Sequence, residues 1–134
     1  MSTVEKKMGI PEHYSPVMPY MVLEDADGFI EFIKKVFDAT ELLRVNCDDG
    51  SVMHCEYSIR GGTIMFGQAG DEWKPFPCGL YVVVKDVDEL YEKAAANGAE
   101  GNQQPDERGY GRAAGFIDAW GNQWWLNDPD TRVE

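Results

Sequence analysis

One unit of sequence occurs twice in this chain, about 61 positions apart. Met21-Val22-Leu23-Glu24-Asp25-Ala26-Asp27 returns as Val82-Val83-Val84-Lys85-Asp86-Val87-Asp88, each copy preceded by a tyrosine, Tyr20 or Tyr81. A helical pattern follows both. A repeat that fills a 134-residue chain makes each copy half a domain, because a half of that size cannot bury both faces of its own sheet. The seam between the halves is therefore the expected place for a ligand.

Charge narrows the partners. Twelve Lys and Arg against 24 Asp and Glu give a net charge of -12, a field that repels nucleic acid and anionic lipid and attracts cations. The longest apolar strand-like run, Leu80 to Val84, is far too short to span a bilayer. The first eight residues carry Glu5, Lys6 and Lys7 and no apolar leader, so a cytoplasmic location is expected. Cys47, Cys55 and Cys78 are odd in number and have no C-x-x-C spacing, the pattern of reduced thiols rather than of disulfides or a zinc site.

Periodicity divides the chain into an arm (1–16), a first module (17–68), a linker (69–78) and a second module (79–128). The arm, with Pro11 and Pro16, has no periodic pattern, and its tip is expected to move. In the first module a strand over 17–23 leads to a helix capped by Asp25, whose Phe29, Ile30, Ile33, Val36 and Phe37 recur at helical spacing. Alternation then predicts three strands over 42–46, 51–60 and 63–68, joined by Asp48-Asp49-Gly50 and Gly61-Gly62. In the second module a strand over 80–85 is followed by a helix opened by the capping-box pattern Asp86-x-x-Glu89 and closed at Gly98. Short strands are predicted over 99–102, 112–118 and 123–127, the last two joined by Ala119-Trp120-Gly121-Asn122.

Two βαβββ units, Asp-x-Asp helix starts and the ending Gly115-Phe116-Ile117-Asp118-Ala119-Trp120-Gly121-Asn122-Gln123-Trp124 resemble the vicinal oxygen chelate superfamily. That group contains glyoxalase I, extradiol dioxygenases, fosfomycin-resistance enzymes and bleomycin-resistance proteins, and the chain looks most similar to small bacterial members of the glyoxalase/bleomycin-resistance group. The resemblance implies an α+β fold of two βαβββ modules forming a half-open barrel, completed by a homodimer. It also implies metal ligands at one first-strand and one last-strand position of each module. Counting from the helix-start aspartates and from Gly62 and Gly121 places these at Met18, Phe66, Gly79 and Trp125, none a useful donor. No metal or other cofactor is expected.

Strand alternation also selects binding residues. On the third strand Met53, Cys55, Tyr57 and Ile59 suit the helix, leaving Val52, His54, Glu56 and Ser58 for the cavity or the solvent-facing rim. His54 and Glu56 can share a ligand, relay a proton, hold a weak metal contact or stand as a plain surface pair. The same parity sends Tyr20 and Val22, Ile64, Phe66 and Gln68, Tyr81 and Val83, and Gln123, Trp125 and Asn127 toward the cavity. Phe66, Trp124 and Trp125 suit a core equally well. Trp73, in the polar linker, fits a cavity or dimer-interface role, and Trp120 can close the rim. Arg112 ends a glycine-hinged loop, Arg108-Gly109-Tyr110-Gly111-Arg112, and offers a polar contact. With only two histidines, one of them His13 in the arm, no nucleophilic triad is suggested, and no residue is expected to be catalytic.

These readings converge on a metal-free protein that binds a small aromatic or cationic molecule, as drug-sequestering bleomycin-resistance proteins do. The alternative is a lyase, isomerase or dioxygenase with a relocated metal site at His54 and Glu56. A third possibility is a regulatory module whose cleft Phe66 and Trp125 fill.

Overall fold

The computed structural model describes residues 9–129, so the expected mobility of the arm's tip lies outside the described residues. The chain runs β1 (Tyr20–Leu23), α1 (Ala26–Phe37), β2 (Thr40–Asn46), β3 (Val52–Ile59), β4 (Gly62–Gln68), β5 (Gly79–Val83), α2 (Val87–Ala96), β6 (Glu100–Glu107), β7 (Arg112–Ile117) and β8 (Gln123–Asp128). The duplication is visible in the pairing. One sheet has the order β1-β4-β3-β2 and the other β5-β8-β7-β6, with the first strand of each parallel to the last and the remaining pairs antiparallel. This is the predicted α+β arrangement of two βαβββ modules, and the two sheets do not close into a barrel.

Local chemistry explains the helix starts unequally. Asp25 caps α1 as expected, its Oδ1 accepting the backbone N–H of Gly28 at 3.0 Å. Asp86 makes no side-chain cap on α2. Its carboxylate is drawn instead to Arg60, whose two guanidinium nitrogens lie 3.1 and 3.2 Å away, so the capping-box expectation gives way to an ion pair that ties the two modules. The β3–β4 turn also shifts by one residue. Ile59 pairs with Gly62, leaving Arg60 and Gly61 as a two-residue loop with both φ positive, 51° and 89°, the signature of a type I′ hairpin. The sixth strand runs five residues beyond its predicted end, through Pro105, with register shifts that accommodate a residue lacking an N–H.

The seam is filled. Phe29 of α1 meets Phe66 of the first sheet edge-on at 5.1 Å and lies over Trp124 of the second at 6.4 Å. Phe37 stacks on Trp124 at 4.8 Å, and Phe32 meets Phe116 at 6.2 Å. A single aromatic core thus joins both modules through α1, and the expected ligand site at the seam is reduced to a groove of about 310 Å³ between the Ile59–Ile64 turn and β5. The motif around Asp118 is part of this core. Its buried carboxylate accepts from the backbone N–H of Trp120 and Asn122, from the Asn122 amide and from the Trp124 indole, all at 2.9 Å or less.

Neighbouring tryptophans test this division of faces. Trp124 is fully buried, whereas Trp125 is 40% exposed. Trp124→Ala should lower unfolding free energy by about 3–5 kcal/mol and Trp125→Ala by less than about 1 kcal/mol, as read from urea denaturation.

A candidate ligand cleft on the open face of the first sheet

Pairing fixes which side chains share a face. Tyr20 is opposite Met65, Val22 opposite Gly67, Glu56 opposite Met65, and Val45 opposite His54, so these residues occupy the face of the first sheet turned away from α1. Cys55, Tyr57, Ile64 and Phe66 occupy the helix face and are buried. Phe66 and Ile64 therefore do not face a ligand, which corrects the expected parity of β4. Gln68 follows Phe66: its Oε1 accepts from the backbone N–H of Ala26 at 3.0 Å and its Nε2 donates to the Glu24 carbonyl, securing the start of α1. Met53 breaks the pattern in the other direction. It is 56% exposed while Val52 is buried, because a register shift at Val45/Asn46 turns that end of β3.

At the centre of the open face the structure assembles a network that sequence reading missed in part. Glu56 is 1% exposed. His13 Nε2 lies 2.8 Å from its Oε1, while the Tyr14 hydroxyl donates to Oε2 at 2.5 Å and His54 Nε2 lies 2.8 Å from the same oxygen. His13 and Tyr14 come from the arm, which is pinned where Thr63 donates to the His13 carbonyl at 2.6 Å. Neither had a sequence signal pointing at Glu56, more than forty positions away. The Tyr20 hydroxyl completes the chain, 3.0 Å from His54 Nδ1, with its ring lying over the imidazole at 5.6 Å and 21°. Burial by itself would push the Glu56 carboxyl up. The hydrogen bonds from His13, Tyr14 and His54 outweigh it and bring the carboxyl down to about 2, so Glu56 is an anion. Tyr14, hydrogen-bonded to that anion, is pushed above the ordinary phenol range, and burial pushes Tyr20 in the same direction.

Two recesses adjoin this network. One, of about 540 Å³, runs along Tyr20, Val22, Met53, Gly67, Gln68 and Trp73, so Gln68 both secures the start of α1 and borders a recess. The other, of about 560 Å³, is bounded by Tyr20, Val22, Trp73, Lys74, Pro75 and Phe76. They share Tyr20, Val22 and Trp73. Trp73 and Phe76 are 67% and 69% exposed, held beside the sheet because Phe76 exchanges backbone hydrogen bonds with Val22 at 2.8 and 3.1 Å. Gly67 has a role here: a Cβ at that position would lie 2.7 Å from the Met53 carbonyl and 3.4 Å from the Tyr20 hydroxyl.

The remaining predicted residues are dispersed. Tyr81, Gln123 and Trp125 lie on the open face of the second sheet, where Tyr81 pairs with Trp125. Gln123 exchanges side-chain hydrogen bonds with Asn102 at 2.7 and 3.2 Å. Asn127 shares their face but is buried. Arg112 grips Asp88 at the start of α2, at 2.6 and 2.8 Å, so it braces the module rather than reaching either open face. Trp120 packs on Phe29 and Phe32 of α1, at 5.5 and 5.7 Å, and closes no rim.

The donors that a divalent metal needs are missing from the positions the fold would use. The structural register puts Met65, not Phe66, where the second module has Trp125, since Tyr20 pairs with one and Tyr81 with the other. Met18, Met65, Gly79 and Trp125 supply no carboxylate, imidazole or thiolate. Among the described residues no group of three His, Cys, Asp or Glu side chains could hold an ion. The residues present do not fit the metal of the fold's enzymes at its usual place.

The family model of the Glyoxalase/Bleomycin resistance protein/Dioxygenase superfamily matches residues 13–126, and the chain belongs to that superfamily. An uncharacterised protein of Mycobacterium bovis is 31% identical over 127 residues, covering 86% of this chain and 84% of the relative. Among solved structures, TioX from Micromonospora sp. ML1 superposes with a TM-score of 0.71 at 24% identity, covering 85% of this chain and 95% of its own. The fosfomycin resistance protein FosX from Listeria monocytogenes, in complex with Mn(II) and sulfate, gives 0.65 at 19% identity, with 85% and 89% covered. Both are similar in fold. No helix among the described residues is long and apolar enough to cross a membrane.

The depressed Glu56 carboxyl sets a pH dependence. Its folded value lies below the ordinary one of 4.5, so its stabilisation is present above that value and lost as pH falls toward 2. Wild type should therefore lose its stability advantage over Glu56→Gln between about pH 5 and 2, measured by thermal unfolding of both proteins across that range.

Proposed function

We propose that this chain is a metal-free binding protein for a planar aromatic or cationic small molecule, which it sequesters on the open face of the first sheet. The observation that carries the reading is the pair of recesses sharing Tyr20, Val22 and Trp73, with two aromatic rings presented to solvent beside a buried anion. Rings in that position hold flat ligands by stacking and cations by their π faces, each contact worth about 0.5–2 kcal/mol. The net charge of -12 favours a cation further. Sequestration needs no reacting group, which agrees with a donor-poor metal position, and membership of a superfamily that includes bleomycin resistance proteins supports this reading.

The second sheet completes the picture as the contribution of another copy. Tyr81, Val83 and Trp125 are 58%, 61% and 40% exposed on one face, an apolar patch suited to an interface. Placing this face over the first-sheet cleft of a second subunit encloses the ligand and makes the homodimer the binding unit. Trp125→Asp combined with Tyr81→Asp should halve the mass in sedimentation equilibrium and weaken ligand binding at least tenfold; a dimer persisting in this variant would remove the second sheet from the interface.

One observation favours the alternative of a metal enzyme: both histidines of the chain lie 2.8 Å from the Glu56 carboxylate, although as placed the three side chains do not form a cation site. Calorimetry on chelator-stripped protein separates the readings. No tight uptake of Ni²⁺, Mn²⁺, Zn²⁺ or Fe²⁺ is expected, whereas one ion per subunit, abolished by His54→Ala, would establish a relocated metal site. In parallel, 9-aminoacridine should quench tryptophan fluorescence saturably, and Trp73→Ala should weaken it about tenfold.

A further inference from the structure

Resting on that placement of the ligand, we infer that the Tyr20–His54–Glu56 chain fixes the hydrogen-bonding polarity of the cleft: Tyr20 presents an acceptor, and the cognate ligand is an aromatic compound carrying an N–H or O–H donor.

Glu56 is ionised and buried, so both of its oxygens only accept. His54 Nε2, 2.8 Å from Oε2, must then carry a hydrogen. In its neutral form the imidazole has one hydrogen, which leaves Nδ1 bare and able only to accept; an imidazolium would donate from both nitrogens, so the direction that follows belongs to the neutral form. The group 3.0 Å from Nδ1 is the Tyr20 hydroxyl, which must therefore donate inward. A phenol has a single O–H, and once that is committed to His54 its oxygen can offer only lone pairs to whatever occupies the cleft.

The geometry gives this direction little freedom. The Tyr20 ring is stacked on the imidazole it addresses, Gly67 leaves room for the hydroxyl, and Glu56 is itself held by His13 and Tyr14. Tyr20 is nonetheless 42% exposed and borders both recesses, so its outward lone pair is available to a ligand. In the cleft a donor-bearing ligand gains a hydrogen bond, whereas a ligand with only a carbonyl meets lone pair against lone pair. Tyr20 is thus a specificity residue, and His54 and Glu56 position its proton. The same place on the second sheet has no such device, because Gly115 pairs with Trp125 there as Glu56 pairs with Met65 here.

Two flat tricyclic probes of similar size test it at about pH 8. These are 9-aminoacridine, which carries N–H donors, and 10-methylacridone, which carries only a carbonyl acceptor. Affinities are read from tryptophan quenching. Tyr20→Phe keeps the ring and should weaken 9-aminoacridine about tenfold while leaving 10-methylacridone within about twofold. His54→Ala releases the Tyr20 hydroxyl to donate outward and should tighten 10-methylacridone about fivefold, a gain that a merely structural role for His54 would not produce. Equal losses for both probes in Tyr20→Phe, or no gain for 10-methylacridone in His54→Ala, would overturn the assigned polarity while leaving the aromatic cleft intact. Absence of quenching by either probe in the wild type would overturn the cleft and the polarity together.

Discussion

Everything in this molecule hangs on one helix that serves two sheets. Phe29, Phe32 and Phe37 of α1 reach Phe66 on one side and Phe116 and Trp124 on the other, so neither module has a complete core without the other. A four-stranded sheet with a single helix buries one face at most, and each ring removed from water here contributes on the order of 2–3 kcal/mol. The Arg60–Asp86 pair, half-exposed on the same seam, orients the modules more than it stabilises them. Because the seam is spent on cohesion, ligand chemistry is displaced to the faces that α1 and α2 leave bare.

Those two bare faces are related by duplication and have diverged in kind. Met65 and Trp125 occupy corresponding places, each beside the tyrosine that opens its module. Across the strand from them stand Glu56 and Gly115 respectively. The first face therefore has a buried charge with donors gathered round it, and the second has no charge at that place and a large indole lying against Gly79. One face carries hydrogen-bond information and the other carries area. The arm belongs to the first face, since His13 and Tyr14 supply two of the three donors without which a carboxylate at 1% exposure would not remain ionised.

Much of this was legible before any coordinates. The repeat, the helix faces and the order of elements follow from periodicity, and Asp25 read correctly as a cap and Tyr20 and His54 as residues of the face turned away from α1. Phe66 did not, for an identifiable reason. Gly62 and Gly121 look equivalent, yet Gly62 is already the first residue of β4 after a two-residue hairpin, while Gly121 is still inside the five-residue turn before β8. Counting from them slips β4 by one residue, and one residue in a strand exchanges its faces. Arg112 and Trp120 failed differently. Their partners, Asp88 and the α1 phenylalanines, are long-range, and no local pattern announces them.

The sequence by itself determined the architecture, because hydrophobic period, turn chemistry and duplication are local properties that each short stretch states for itself. Only the tertiary structure decided where the polar site would form. Glu56 becomes a buried anion through an arm that reaches it from more than forty residues upstream, and Tyr20 acquires its direction through a histidine 34 positions away. Distances of that kind are set by how the sheet curves and where the arm lies across it, and neither is written in the order of neighbouring residues.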